Sequence, residues 1–317
     1  KPVLHAAPVY SWTRIIGGLY SDWGSYVAVD PKGNIYVTGE TAGTVDFDDS
    51  KDREDKHTAR GRSDAFLTKF NPDGSYGWTK LSGGASSNTS GVSIATDRGG
   101  NVYLLGFFDN TVDFDPGPKE KNLSSPGSTS AFLTRINSDG SYAWTWATGS
   151  RSLSSECVSR VVTADAEGNL YVTGYFTGTI DFDPGPKTDE WSSQGGKFNI
   201  FLTRIGSDGA YGWTKVFSGI EFGSYLYSSV AADPAGNVYV AGEFSRTVNP
   251  TPVEGLDILS AKGWHDAFVI RINSDGSYAW TKTMGGTEAR TTAFYVTVDP
   301  QGNVYVTGSF YGTVDFD

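Results

Sequence analysis

Cysteine occurs once in these 317 residues, methionine once and histidine three times. The single Cys157 excludes an intramolecular disulfide and any cysteine-rich metal cluster, and its Ser-Ser-Glu flank supplies no base to raise a thiolate. His5, His57 and His265 fall in different stretches, so neither a zinc site nor a Ser-His-Asp arrangement is suggested. No apolar run reaches the length of a membrane helix, and Lys1 opens into Pro-Val-Leu-His without a charged-then-apolar leader. The expectation is a soluble, already processed chain with no membrane insertion. Basic residues are also in deficit: 25 Lys and Arg against 36 Asp and Glu give a net charge of −11. That excess of acid repels nucleic-acid phosphates and anionic head groups, which sets nucleic-acid and membrane-surface binding aside.

What is abundant is glycine (40), phenylalanine (18), tyrosine (17) and tryptophan (9), the composition of short twisted strands joined by tight turns. The pattern Gly-Asn-x-Tyr recurs in GNIYVTG at Gly33, GNVYLLG at Gly100, GNLYVTG at Gly168, GNVYVAG at Gly236 and GNVYVTG at Gly302, a period of 66 to 68 residues. A Trp-Thr pair recurs at steps of 66 to 69 residues at Trp12, Trp78, Trp144, Trp213 and Trp280, and a third marker does so at Phe66, Phe132, Phe201 and Phe268. In the second unit, strands are expected at 91–96, 101–107, 131–136 and 141–147, separated by Asp97-Arg98-Gly99-Gly100, a long excursion and Asn137-Ser138-Asp139-Gly140. Four antiparallel strands make one propeller blade, and no blade buries its faces alone. The pairs Tyr76/Trp78, Tyr142/Trp144, Tyr211/Trp213 and Tyr278/Trp280 are therefore expected to pack between neighbours.

The fold class is thus all-β, a single five-bladed β-propeller over residues 1–317, with units at about 1–24 (partial), 25–90, 91–157, 158–226, 227–292 and 293–317 (partial). The chain begins within a third strand (Lys1 to Ala6), continues into a fourth (Tyr10 to Ile16) and ends after a second strand at Phe310, so the last blade is expected to be shared by both termini. Aligning Trp12 with Trp78 sets Lys1 opposite Leu67, which truncates that third strand. Head-to-tail assembly between chains is the alternative way to complete the blade.

The run Asp-Ala-Phe-Leu-Thr-Lys-Phe-Asn-Pro-Asp-Gly-Ser-Tyr-Gly-Trp from Asp64, the Val-Asp-Pro-x-Gly-Asn-Val-Tyr-Val-Thr-Gly pattern and Gly-Thr-Val-Asp-Phe-Asp together resemble the bacterial β-propeller repeat SBBP. The resemblance implies a propeller, and a secreted or cell-surface module of the kind found within longer bacterial proteins. It implies no particular activity. The fourth unit departs from it with Asn249-Pro250-Thr251-Pro252, and the first with Asp49-Ser50 after Asp48.

Turns after the first and third strands are short and uniform; the connections after the second and fourth are long and variable, which is where binding residues are expected. The ligand candidates on that face are Trp23, Arg151, Glu221, Tyr225, Glu288 and Arg290 near the axis, with Trp191 and Trp264 farther out. The pairs Asp46/Asp48, Asp113/Asp115, Asp181/Asp183 and Asp315/Asp317 set two carboxylates on one side of a strand, where with loop carbonyls they could hold Ca²⁺, but no full calcium-loop motif is present and capping of the following turn is the favoured reading. No catalytic residue is assigned. The expected function is a non-catalytic binding or assembly scaffold for a protein or glycan partner. A carbohydrate-binding lectin is the alternative, and a glycoside hydrolase resting on Glu221 and Glu288, the two unrepeated acids, is the third reading.

Overall fold

A computed structural model of the chain describes residues 11–50, 52–150, 152–193, 198–221, 228–249 and 259–316. Among these there is no helix. The expected third strand at Lys1 to Ala6 lies outside the described residues, and residues 11–16 of the expected fourth form no strand. Strands otherwise follow the repeat. The first unit comprises Asp22–Val29, Ile35–Thr41, Asp64–Phe70 and Tyr76–Ser82, paired antiparallel in that order, and the second repeats it with Thr89–Thr96, Val102–Phe108, Ser130–Ile136 and Tyr142–Ala147. The third has Glu156–Ala164, Leu170–Thr177, Asn199–Ile205 and Tyr211–Glu221, the fourth Ser228–Ala232, Val238–Asn249, Asp266–Ile272 and Tyr278–Met284. Arg290–Val298 and Val304–Tyr311 follow as a two-stranded sheet. The first strands of successive units pack on one another, which makes them the inner strands.

Turn chemistry fixes this register. In each tight turn after a first strand the glycine takes a positive φ, +80° at Gly100, and its N–H bonds back to the carbonyl of the aspartate three residues earlier. The aspartate then ties the turn to the next strand. Asp97 accepts the Asn101 backbone N–H at 2.9 Å, the Asn101 side-chain amide at 2.7 Å and the Tyr103 hydroxyl at 2.9 Å. Burial alone would raise its carboxyl, yet these hydrogen bonds outweigh burial and hold it below the usual carboxylate range. The same Asp-Asn-Tyr network recurs at Asp30, Asp165, Asp233 and Asp299.

A second recurrent device explains the last glycine of four of the GNxYVTG-like segments, Gly39, Gly106, Gly174 and Gly308. The inner strand carries a bulge opposite it, between Gly91 and Ser93 in the second unit. The bulge turns a carbonyl toward the second strand, so that a Cβ at Gly106 would stand 2.1 Å from the Ser90 oxygen. Any side chain there would drive the two strands apart.

Between units, the core is shared. Tyr36, Ala65 and Leu67 of the first unit bury against Ile94, Val102, Leu104, Phe132 and Ile136 of the second, and Trp78 closes the outside of that layer. Trp78 also lies against Gly140 of the next unit, as Trp144 lies against Gly209 and Trp213 against Gly276, so these tryptophans pack between units as their spacing predicts, whereas Tyr76 and Tyr211 of the same pairs bond to hairpins of their own units. Trp12 takes the corresponding place on Gly74, with the Arg14 Nε donating to the Gly74 carbonyl at 2.9 Å. The segment before the first unit therefore sits where a preceding outer strand would. Each outer strand also reaches onward: Gly17–Gly18 pairs with the hairpin strand Thr44–Asp46, Gly83 bridges Asp113, Gly149–Ser150 pairs with Thr179–Asp181, and Gly285 bridges Asp315. Main-chain hydrogen bonds thus staple each junction on the variable-loop side.

Candidate functional site

Three residues singled out in the sequence converge at the junction between the fourth unit and the terminal two-stranded sheet. Trp264 ends the long second-to-third connection, Glu288 lies in the turn after the outer strand Tyr278–Met284, and Arg290 begins the following inner strand. A parallel bridge joins His265 to Arg290, the Trp264 N–H donates to the Ala289 carbonyl at 2.9 Å, and Arg290 pairs in register with Tyr311. The result brings the Trp264 and Tyr311 rings into a stack, 6.2 Å between centroids at an interplanar angle of 12°, with both side chains exposed. Glu288 has φ +59°, as Ser86 has +65° at the equivalent turn, so its backbone shape belongs to the repeat and only its side chain is particular to this junction.

Beneath the stack lies a charged group that sequence reasoning missed. The Glu243 carboxylate is buried, accepts a short hydrogen bond from the Thr292 hydroxyl and faces the Arg290 guanidinium at 3.4 Å. The His265 imidazole adjoins it, and its Nδ1 is buried without a hydrogen-bond partner. Burial pushes the imidazolium down, Arg290 adds to that and the Glu243 and Asp266 carboxylates oppose it, with a net shift that favours the neutral ring. Residues 243, 265, 290 and 292 come from two strands and a loop far apart in the chain, and no local spacing announces them. The signal available was that Ser63 and Asn88 at the first junction, and Thr129 and Glu156 at the second, hold the places of His265 and Arg290, so that both members of the bridge are ionisable only here among the three.

The other candidates scatter. Trp23 is exposed on the first inner strand, where it lines a 340 Å³ cleft with Trp12, Ile16, Val27, Ile35 and Phe66. Trp191 is half-buried in the short strand Glu190–Ser192, packs on the core and donates its Nε1–H to Asp189 at 3.0 Å, the environment of a structural residue. Arg151 and Tyr225 lie outside the described residues, and only the Glu221 backbone is described, paired with Ser245. Cys157 is buried, and burial pushes its thiol up to about 12, which makes it inert as a nucleophile.

The paired aspartates cap turns. One Asp113 oxygen accepts the N–H groups of Asp115 at 3.1 Å and Lys121 at 2.8 Å, the other faces the Arg60 guanidinium at 3.1 Å across the junction, and Asp115 accepts from Gly117 at 2.8 Å. Asp181 and Asp183 repeat this with Asp183, Asp189 and Gly185 as donors, as do Asp46 and Asp48 with Asp48, Asp55 and Ser50. Asp315 faces Lys262 at 3.5 Å, and Asp317 lies outside the described residues. Among the described residues no group of three or more His, Cys, Asp or Glu side chains converges as metal ligands would. Tyr76 and Tyr211 close the same hairpins from the outer strand, each hydroxyl donating to the carboxylate of Asp55 or Asp189.

Residues 11–45, 77–106 and 279–309 match the β-propeller repeat SBBP. Each match runs from an outer-strand segment, or its place before the first unit, through the next inner strand and into the second strand, so the repeat in sequence straddles the stapled junction in space. A WD repeat-containing protein of Acanthamoeba polyphaga mimivirus is 24% identical over 365 aligned positions, covering 94% of this chain and 26% of that protein. The regulatory protein FlaEY of Caulobacter vibrioides is 25% identical over 203 residues, 63% of this chain and 19% of that protein. The chain thus spans about a quarter and about a fifth of the length of these two relatives. Both are named as a repeat or a regulatory protein.

Proposed function

Taking a chain that carries β-propeller repeats at three places as the premise, we propose that it is a non-catalytic binding and assembly scaffold of five blades, secreted or displayed at the cell surface, with its working surface on the variable-loop face. The observation that carries this reading is the exposed Trp264–Tyr311 stack above the buried Glu243–Arg290 pair: an apolar platform beside fixed polar groups. A protein partner is the first reading. The flat aromatic platform also suits the apolar face of a sugar ring, which keeps a lectin as the second.

Capture from the producing cell's surface and secreted fractions, run beside a glycan array and with or without Ca²⁺, tests both. Wild-type chain is expected to retain a partner that Trp264→Ala loses by more than tenfold. Array signal lost in the same variant would make the partner a glycan, and Ca²⁺-dependent capture would give the paired aspartates a metal-binding role. Undiminished capture by Trp264→Ala would remove the site from consideration.

Assembly rests on two unfinished faces. Val27 is 59% exposed, whereas its equivalents Ile94, Val162, Val230 and Val296 are 3–6% exposed; Tyr305 is 54% exposed, whereas Tyr36, Tyr103, Tyr171 and Tyr239 are at most 4% exposed. In every internal junction these two positions face each other's unit, so the back of the first unit and the front of the last are two halves of one interface. Tyr295 lies near enough to Tyr26 to add to the rise that burial imposes on the Tyr26 phenol, which supports a ring closed by the last blade within one chain. Light-scattering mass is therefore expected to stay at the 34.0 kDa monomer across concentrations. Mass that grows with concentration would instead mean head-to-tail association through the same two faces.

A further inference from the structure

The junctions between units differ by one charge. At the junction of the first and second units, Arg60 of the first meets Asp113 of the second: Nη1 lies 3.1 Å from the carboxylate Oδ2, and Nη2 donates to the Asp113 carbonyl oxygen at 3.4 Å. Between the fourth unit and the terminal sheet, Lys262 faces Asp315 at 3.5 Å. Arg60 and Lys262 hold one place in the repeat, four residues ahead of the aspartate that opens the third strand. The buried carboxylate of that aspartate, Asp64 or Asp266, accepts the backbone N–H of the basic residue at 3.0 or 2.8 Å and so fixes where the cation starts.

The junction of the second and third units keeps the acid and lacks the cation. Asp181 stands where Asp113 does, opposite Gly149 as Asp113 is opposite Gly83. One Asp181 oxygen accepts the Asp183 and Asp189 N–H groups at 3.1 and 3.0 Å, as one Asp113 oxygen accepts those of Asp115 and Lys121. The other oxygen, which on Asp113 holds the guanidinium, has no side-chain partner among the described residues. Ser130 opens the third strand here, and the residue four ahead of it is Pro126. On the outer strand the place of Lys80 is taken by Trp146, which is buried. With both cations gone the cleft between the units widens, from 280 Å³ beside Arg60, Lys80 and Asp113 to 560 Å³ beside Leu123, Pro126, Asp181 and Pro184. Lys121 also lines the wider cleft and makes no ion pair among the described residues, so it leaves the Asp181 oxygen uncovered.

We propose that this cleft is a docking site for an arginine side chain of a partner polypeptide, whose guanidinium takes on Asp181 the place that Arg60 takes on Asp113. The planar fork of a guanidinium gives a charge-assisted, directed hydrogen bond to the carboxylate, and its methylene stem has Leu123, Pro126 and Pro184 to lie along. The net charge of −11 favours the approach of a basic segment. The inference is independent of the Trp264 platform: the peptide assay reads Asp181 and Pro126, the capture assay reads Trp264.

A fluorescein-labelled peptide Thr-Ala-Arg-Gly, copying residues 58–61, titrated into the full chain at low salt tests it. Saturable binding is expected, weakened roughly tenfold or more when the arginine becomes citrulline, which keeps the shape and loses the charge. Weakening of the same order is expected in Asp181→Asn, whose melting temperature should match the wild type because the asparagine oxygen still accepts the Asp183 and Asp189 N–H groups. Pro126→Arg, which supplies the missing cation from within the chain, should remove binding, and Trp264→Ala should leave it unchanged. Absent binding, equal affinity of the citrulline peptide, or undiminished binding by Asp181→Asn or Pro126→Arg would each overturn the proposal.

Discussion

Phe132→Ala is expected to lower the folding free energy by about 3–5 kcal/mol, the cost of removing a fully enclosed ring where the surroundings close only in part over the cavity. Phe132 has no exposed surface, meets Phe108, Phe114 and Gly106 within its own sheet, and belongs to the layer that joins the first unit to the second. The loss therefore falls on the sheet and on the junction together. The matched control is Phe310→Ala on the strand Val304–Tyr311 of the terminal two-stranded sheet, where 60% exposure leaves little to lose, a change within about 0.5 kcal/mol. Denaturant midpoints of the two variants, measured side by side, check the pair. Equal destabilisation would mean that Phe310 is covered in solution and that the terminal sheet is complete.

That contrast also marks how far the sequence could be read. Strand positions and tight turns were legible because their causes are local: Asp97, Gly100, Asn101 and Tyr103 lie within seven residues and make one hydrogen-bonded unit. The Trp78 and Trp144 interface role was legible from period alone, since a ring repeated in every unit has to face a neighbour. Trp191 was not, because an aromatic in a variable connection looks like a ligand contact until the short strand Glu190–Ser192 turns it onto the core. The paired aspartates carried two meanings that only the directions of the Asp115 and Lys121 N–H groups separate, and those depend on how the loop folds back. Residues 11–16 show a different limit. Their pattern predicts a fourth strand, and Trp12 does take that strand's place on Gly74, but strand hydrogen bonding needs a third strand beside it, and none is present among the described residues.

Arg290→Met should cost about 2 kcal/mol, whereas Glu243→Leu combined with it should recover most of that loss. Glu243 has a side chain only 1% exposed, and its two oxygens have the Thr292 hydroxyl and the Arg290 guanidinium as partners. Removing the guanidinium strands a carboxylate away from water, and breaking a wholly buried pair in this way costs about 3–5 kcal/mol. The expected value lies below that range because the Arg290 side chain is 36% exposed, so solvent already screens part of the attraction and can reach the vacated space. The reverse single change, Glu243→Leu, leaves an arginine that can turn to water and should cost less than Arg290→Met. A double-mutant cycle built on denaturant midpoints gives the coupling directly. Strongly non-additive losses, with the double variant near the wild type, would identify the pair as a buried charge fixed in place beneath Trp264 and Tyr311. Additive losses would mean that Arg290 and Glu243 act separately, and that the polar half of the proposed platform is free to rearrange when a partner arrives.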